Sequence, residues 1–100
     1  MYIIKPTRFF TKWLEKQHRD VRIRVAANLN RLSSGNFSNC KFLREGVSEL
    51  KINYGKGIRV YYCKDGEIIL ILLYGGADKK RQSEDIEKAV RIKKFIREDL

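Results

Sequence analysis

The stretch VSELKINYGKGIRVYYCKDGEIILILLYGG, residues 47–76, decides the fold because it predicts three strands joined by two glycine-containing turns. Residues 49–54 and 58–63 alternate polar with apolar side chains, which is the period-two pattern of a half-buried strand. Gly55-Lys56-Gly57 and Asp65-Gly66 separate these runs, and glycine supplies the left-handed conformation that tight hairpin loops need. The stretch therefore predicts an antiparallel meander.

The same pattern predicts the register of the first hairpin. A three-residue loop at 55–57 brings the apolar residues of the two strands to one face, whereas a two-residue loop would mix the faces. The three-residue loop places Asn53 opposite Arg59 and Lys51 opposite Tyr61.

The second hairpin and the strand after it carry two further expectations. A two-residue loop at Asp65-Gly66 sets Lys64 opposite Glu67 as a cross-strand ion pair. Residues 68–73 are apolar on both faces, which indicates a central strand rather than an edge strand. We therefore expect a helix or a partner protein to cover its second face.

The remainder of the chain predicts supporting elements around the meander. Residues 1–5 form a short first strand, the first helix runs to about Gln17, the second ends at a left-handed Gly35, and residues 37–46 form a connector. The predicted helix N-caps are Thr7, Asp20 and Ser83. The order β-α-α-β-β-β-α predicts one α+β domain over residues 1–100, with the two N-terminal helices on one sheet face and a C-terminal helix.

Composition points to a polyanionic partner. The 100 residues carry a formal net charge of +10, which favours nucleic acid, an anionic membrane surface or an acidic protein over a merely well-solvated protein. The longest apolar run, residues 68–74, is too short to span a bilayer, and the N-terminus lacks the pattern of a signal peptide. We expect a cytoplasmic protein with no membrane partner.

Several kinds of chemistry find no support in the sequence. Cys40 and Cys63 are isolated thiols, expected to stay reduced, and His18 is the only histidine. The sequence has no zinc-ligand cluster, no Ser-His-Asp set and no nucleotide-binding glycine loop. We therefore expect no cofactor and no metal.

A basic surface is predicted on the open side of the sheet. The strands contribute Lys51, Asn53, Arg59 and Tyr61, and the loop after the last strand contributes Lys79, Lys80 and Arg81. Metal-free RNA cleavage needs a base for the 2′-OH, cations for the phosphate and an acid for the leaving 5′ oxygen. Arginine suits the phosphate, lysine can transfer protons, and a tyrosine can stack on a base. These residues fit an RNA-cleaving enzyme and a plain RNA-binding module equally well.

Several motifs, taken in order, resemble a known family. They are LNRLSSGN at 29–36, GVSELKI at 46–52, GKGIRVYY at 55–62, LLYGG at 72–76, and Gln82 with Asp85-Ile86. The set resembles the RelE-type bacterial toxins, and within them the HigB-like group of addiction module killer proteins. The resemblance covers nearly the whole chain.

The resemblance implies the toxin of a type II toxin–antitoxin system. Such a toxin is expected to be a metal-independent mRNA interferase, an endoribonuclease that cleaves mRNA in the ribosomal A site and contacts rRNA. A cognate helix-turn-helix antitoxin is expected to neutralise it, and operator DNA is expected to be bound only through that antitoxin. A related group poisons DNA gyrase without cleaving RNA, and this non-enzymatic activity remains the alternative.

The resemblance also assigns roles to individual residues. Arg59 matches the arginine of the family's glycine-x-arginine-x-x-tyrosine strand and is expected to hold the scissile phosphate. Lys51 and either Lys79 or Lys80 match basic positions, expected to share phosphate binding and proton transfer. Ile86 stands where some relatives carry a catalytic tyrosine. The other residues expected to bind RNA are Asn53, Tyr54, Tyr61, Arg81 and Gln82.

Overall fold

The structure, a computed structural model, describes residues 1–76 and 78–99, with side chains described as far as Ile96. Ala77, in the predicted polar loop, and Leu100 lie outside the described residues. The elements in chain order are β1 Ile3–Pro6, α1 Arg8–Glu15, α2 Arg19–Ser33, β2 Cys40–Arg44, β3 Val47–Ile52, β4 Ile58–Asp65, β5 Ile68–Gly75 and α3 Gln82–Asp99.

One five-stranded sheet, in the order β1-β5-β4-β3-β2, forms the centre of the molecule. Strands β2 to β5 pair antiparallel in sequence order, so the predicted meander is confirmed, and β1 joins β5 in parallel. The predicted connector at 37–46 was wrong, because it contains the edge strand β2. This strand has no buried residue, and Phe42 is 66% exposed, so it lacks the alternation that identifies a half-buried strand.

The first hairpin has a different register from the predicted one. Lys51 lies opposite Arg59 and Glu49 opposite Tyr61, a shift of two residues that leaves every side chain on its predicted face. Residues 53–57 all leave the ladder, and both glycines of this loop have positive φ. The longer loop explains why Asn53 does not pair with Arg59.

The second hairpin also turns one residue later than predicted. Lys64 lies opposite Ile69 rather than Glu67, so the predicted ion pair was wrong. The Lys64 ammonium instead lies 4.9 Å from the ring centroid of Tyr2 and 4.8 Å from that of Phe37. These cation–π contacts hold the end of the hairpin against the N-terminal segment and the loop after α2.

A β-bulge in β5 changes which residues face each side of the sheet. The register shifts between Tyr61 and Tyr62, which pair with Leu73 and Ile71, so Leu72 is the extra residue. Leu72 and Leu73 both pack on the side of α3, and Tyr74 turns to the opposite side, where its ring stacks 4.3 Å from Trp13. Strict alternation along 68–73 would have placed Leu73 on the opposite side.

Helices cover both faces of the sheet. On one face, α1 and α2 bury Phe10, Val25 and Leu32 against the strands, as predicted. On the other, Ala89, Val90 and Ile92 of α3 pack on β4 and β5, so α3 is the predicted cover of the second face. Among the described residues, no helix is long and apolar enough to cross a membrane.

The helix ends confirm two of the local expectations and correct two others. The Thr7 side chain caps α1, and Gly35, with φ 87°, follows α2 in the left-handed conformation. The Asp20 prediction was wrong, since α2 begins at Arg19 with His18 as its N-cap. The Ser83 prediction was also wrong, because Ser83 already lies within α3.

Candidate nucleic-acid interface

Helix α3 leaves part of the sheet uncovered at the end of β3 and the start of β4. A cleft of about 410 Å³ opens there. Its lining residues are Ser38, Asn39, Cys40, Lys41, Glu49, Lys51, Asn53, Arg59 and Gln82.

Arg59 is the most constrained cation of this cleft. Its side chain is only 12% exposed, and its Nε lies 2.9 Å from Oε1 of Glu49. Its Nη1 donates a hydrogen bond of 2.8 Å to the carbonyl oxygen of Gly76. Because Glu49 on β3 and Gly76 just after β5 both accept from the guanidinium, its plane is fixed before any ligand arrives.

Glu49 is a site residue that the sequence analysis missed. Its side chain is 10% exposed, and the same Oε1 that contacts Arg59 lies 3.4 Å from Nε2 of Gln82. The strand pattern contained the signal, because Glu49 alternates with Leu50 and so shares a face with Lys51. A buried carboxylate needs a paired cation, and Arg59 provides it.

Two of the predicted lysines lie beside Arg59. Lys51 is directly opposite it in the ladder. Lys51 and Lys79 share the lining of an adjoining cavity of about 190 Å³ with Arg59 and Lys56, which the sequence analysis did not select. The result is a concentration of positive charge around one fixed guanidinium, a suitable environment for a phosphate.

The other residues of the predicted loop are more dispersed. Lys80 is exposed and lies outside the lining of both cavities, and its backbone N–H donates to Oδ1 of Asp78. Arg81 lines a third cavity, of about 280 Å³, together with Gly75, Gly76 and Asp85. Gln82 and Asn53 do line the main cleft, Asn53 from the loop after β3 rather than from a strand.

The expectation that Tyr61 lies on an open face was wrong. Its side chain is fully buried, because α3 packs over the part of β4 that carries it. Burial, followed by the negative charges of Glu49 and Asp85, raises the pKa of Tyr61 to about 12, with Arg59 opposing this rise. Tyr61 therefore cannot stack on an RNA base without displacement of α3.

Tyr54 also lies away from the cleft. It packs against the core formed with α1 and α2, and the guanidinium of Arg24 lies 5.2 Å from its ring centroid. This contact belongs to the sheet face opposite the cleft. The structure thus brings together Arg59, Lys51, Lys79, Asn53 and Gln82 of the predicted residues, and separates them from Tyr54 and Tyr61.

The first turn of α3 packs closely against Gly75, beside the site. A Cβ on Gly75 would lie 2.8 Å from Cε2 of Tyr61 and 3.1 Å from Oδ2 of Asp85, so only glycine permits this approach. Burial, then the charge of Glu84, raises the pKa of Asp85, and three neighbouring cations including Arg59 oppose the rise. Ile86 packs among the apolar residues under α3.

The fold is that of the RelE toxins, as the resemblance predicted. A chain in the crystal structure of the intact E. coli RelBE toxin–antitoxin complex matches with a TM-score of 0.64 and 19% identity, covering 79% of this chain and 100% of that one. The isolated E. coli RelE toxin matches with a TM-score of 0.64 and 17% identity, covering 88% of this chain and 98% of that one. At these identities the likeness concerns the fold.

A sequence relative defines the family more narrowly. An uncharacterised protein of Haemophilus influenzae is 39% identical over 87 residues, which span 86% of this chain and 87% of that protein. The chain belongs to the same family as this Haemophilus protein. No protein-family model matches the sequence.

Proposed function

We propose that the protein is the toxin of a type II toxin–antitoxin system and acts as a ribosome-dependent mRNA endonuclease. The observation that carries this proposal is the fixed guanidinium of Arg59, held by Glu49 and Gly76 beside Lys51 and Lys79. The RelE fold supports it, because two of the matching chains come from a toxin and from a toxin–antitoxin complex. The assignment to the HigB-like branch stays a prediction.

The arrangement suits cleavage by the RNA's own 2′-OH. In such a reaction the 2′ oxygen attacks the adjacent phosphorus, the bond to the 5′ oxygen breaks, and a 2′,3′-cyclic phosphate remains. Negative charge grows on the phosphate oxygens, and Arg59 offers them N–H donors that need no rearrangement. Lys51 and Lys79 add positive charge around the same phosphate, and one of their ammonium groups protonates the leaving 5′ oxygen.

The remaining predicted residues hold the RNA strand around this centre. Asn53 and Gln82 line the cleft and can accept or donate hydrogen bonds to sugars and bases. Lys80 and Arg81 are exposed on the turn before α3, where they can bind flanking phosphates or rRNA. Neither Tyr54 nor Tyr61 takes part, because both pack in apolar cores.

The proposed partners follow from the same function. Messenger RNA in the ribosomal A site and the surrounding rRNA are the polyanions that the +10 charge attracts. A cognate helix-turn-helix antitoxin neutralises the protein and carries it to operator DNA. The site of action is then the cytoplasm.

Arg59→Ala tests the proposal. Induction of the unaltered protein is expected to arrest growth and to produce codon-phased mRNA cuts, detected by primer extension. Arg59→Ala is expected to abolish both while leaving antitoxin binding largely intact, and Arg22→Ala, an exposed arginine on α2, is the matched control that remains toxic.

Two outcomes contradict the proposal in different ways. If Arg59→Ala remains fully toxic while folded, Arg59 does not belong to the site. If the unaltered protein arrests growth with no mRNA cuts but with DNA-damage signalling, it acts as a gyrase-type inhibitor instead. Thermal unfolding of each variant shows whether loss of toxicity merely reflects loss of fold.

A further inference from the structure

The proposed reaction needs a base, and the geometry restricts where that base can be. The 2′-OH is bonded to the same ribose as the phosphate that it attacks, so its base must lie within hydrogen-bond reach of a group next to the bound phosphate. Because Arg59 is the fixed phosphate ligand, the base must be a neighbour of Arg59. This requirement excludes the titratable groups that lie far from Arg59.

We propose that Glu49 is the general base that removes the 2′-OH proton, an inference that rests on the proposed nuclease function. Its Oε1 lies 2.9 Å from Nε of Arg59, so the carboxylate and the phosphate-binding guanidinium are adjacent groups. Oε1 also lies 3.4 Å from Gln82 Nε2. Both contacts go to one oxygen, and Oε2 carries lone pairs of its own with which to accept a proton.

The other titratable groups of the main cleft suit the role less well. Lys41, Lys51 and Arg59 carry ammonium and guanidinium groups, which have proton donors and no acceptor and so suit phosphate binding and proton donation. Burial raises the pKa of the Cys40 thiol, which keeps it protonated. Of the cleft-lining residues in the described part of the chain, Glu49 is the only one with a carboxylate.

The proton and electron balance of the step is complete within the site. The Glu49 carboxylate takes the 2′-OH proton while the 2′ oxygen forms its bond to phosphorus. The bond from phosphorus to the 5′ oxygen breaks, and that oxygen takes a proton from the ammonium of Lys51 or Lys79. Glu49 then returns its proton to water, and the lysine is protonated again, so no further reactant is required.

The rival role for Glu49 is purely structural, as the anchor that orients Arg59. The two roles predict different effects of Glu49→Gln, because glutamine has nearly the same shape and retains an amide oxygen for the Arg59 N–H, but accepts no proton under these conditions. Glu45→Gln is the matched control, since Glu45 is an exposed carboxylate that also pairs with cations, Arg44 and Lys94.

The experiment is single-turnover cleavage of mRNA on programmed ribosomes as a function of pH, with binding measured separately. If Glu49 is the base, Glu49→Gln lowers the cleavage rate about 10²- to 10⁴-fold. The fall in rate at acidic pH disappears, and ribosome binding changes less than about tenfold. If Glu49 is only an anchor, the pH profile keeps its shape and the loss appears in ribosome binding. A loss that Glu45→Gln reproduces would reflect a general effect of charge and would also overturn the assignment.

Failure of this inference is distinguishable from failure of the proposed function. If the unaltered protein cuts mRNA and Glu49→Gln cuts equally well at all pH values, the base assignment alone is wrong. Lys51→Met tests whether Lys51 is the base instead. If Lys51→Met, rather than Glu49→Gln, removes the pH dependence of the cleavage rate, Lys51 is the base. If the unaltered protein cuts nothing under any condition, the nuclease function itself is refuted.

Discussion

Tyr61→Phe isolates one buried hydroxyl. The Tyr61 side chain is fully buried, and its hydroxyl has no hydrogen-bond partner among the described residues. Mutational data place the cost of burying such a group without a partner at about 1–3 kcal/mol. Because phenylalanine keeps the ring and leaves only a small void, we expect Tyr61→Phe to raise the free energy of unfolding at pH 7 by about 1 kcal/mol.

The same hydroxyl makes stability depend on alkaline pH. Its pKa rises from 10.0 to about 12 on folding, so between these values the unfolded chain loses the proton while the folded chain keeps it. The unfolded state then binds fewer protons, and the free energy of unfolding falls as the pH rises. At about 1.36 kcal/mol per pH unit, the interval between the two pKa values corresponds to a loss of about 2 kcal/mol by pH 12.

Urea unfolding followed by Trp13 fluorescence measures both effects. The unaltered protein is expected to lose about 2 kcal/mol more than Tyr61→Phe between pH 9 and pH 12, and Tyr74→Phe, at a 37% exposed tyrosine, serves as the control. A clear loss of stability at pH 7 in Tyr61→Phe, or a pH dependence equal to that of the unaltered protein, refutes the reasoning. Loss of toxicity in a stable Tyr61→Phe variant would show that this hydroxyl contacts RNA after all.

Three further predictions concern stability and use the same denaturant titration. Gly75→Ala places a Cβ 2.8 Å from the Tyr61 ring, so it is expected to destabilise the protein by about 1–3 kcal/mol through overpacking. The same substitution is expected to cost less when it is made in a Tyr61→Ala variant, where the ring is absent. Thr7→Ala removes the hydroxyl that caps α1 and donates to the Leu72 carbonyl at 2.9 Å, and is expected to cost about 2 kcal/mol, whereas Thr7→Ser retains most of the stability. Gly35→Ala forces a non-glycine residue to φ 87° and is expected to cost about 1–2 kcal/mol, whereas Gly35→Asn costs less. Unchanged unfolding midpoints in these variants would contradict the close approach, the cap and the left-handed turn, respectively.

Much of the fold was predictable because strand alternation and helix-end signals are local. The faces of β3 and β4 were predicted correctly although the hairpin loop was longer than expected, since a register shift of two leaves each side chain on the same face. Strand β2 was not predictable, because an exposed edge strand needs no apolar alternation. The bulge at Leu72 was not predictable either, because the surrounding run is apolar at every position.

The candidate site was only partly predictable. The basic residues Arg59 and Lys51 were identified from the face that they share in the strand pattern. Glu49 lies on that same face, but its importance depends on the 2.9 Å contact with Arg59, which a strand pattern does not contain. The position of Lys79 beside them depends on the path of the turn before α3.

The sequence by itself determined the meander, the caps at Thr7 and Gly35, and the faces of β3 and β4, because these depend on residues close together in the chain. Only the tertiary structure decided that α3 buries Tyr61 and that Glu49 holds Arg59 at the edge of the covered region. Both outcomes depend on where an 18-residue helix packs across the sheet, and long-range packing of this kind leaves no periodic signal in the chain.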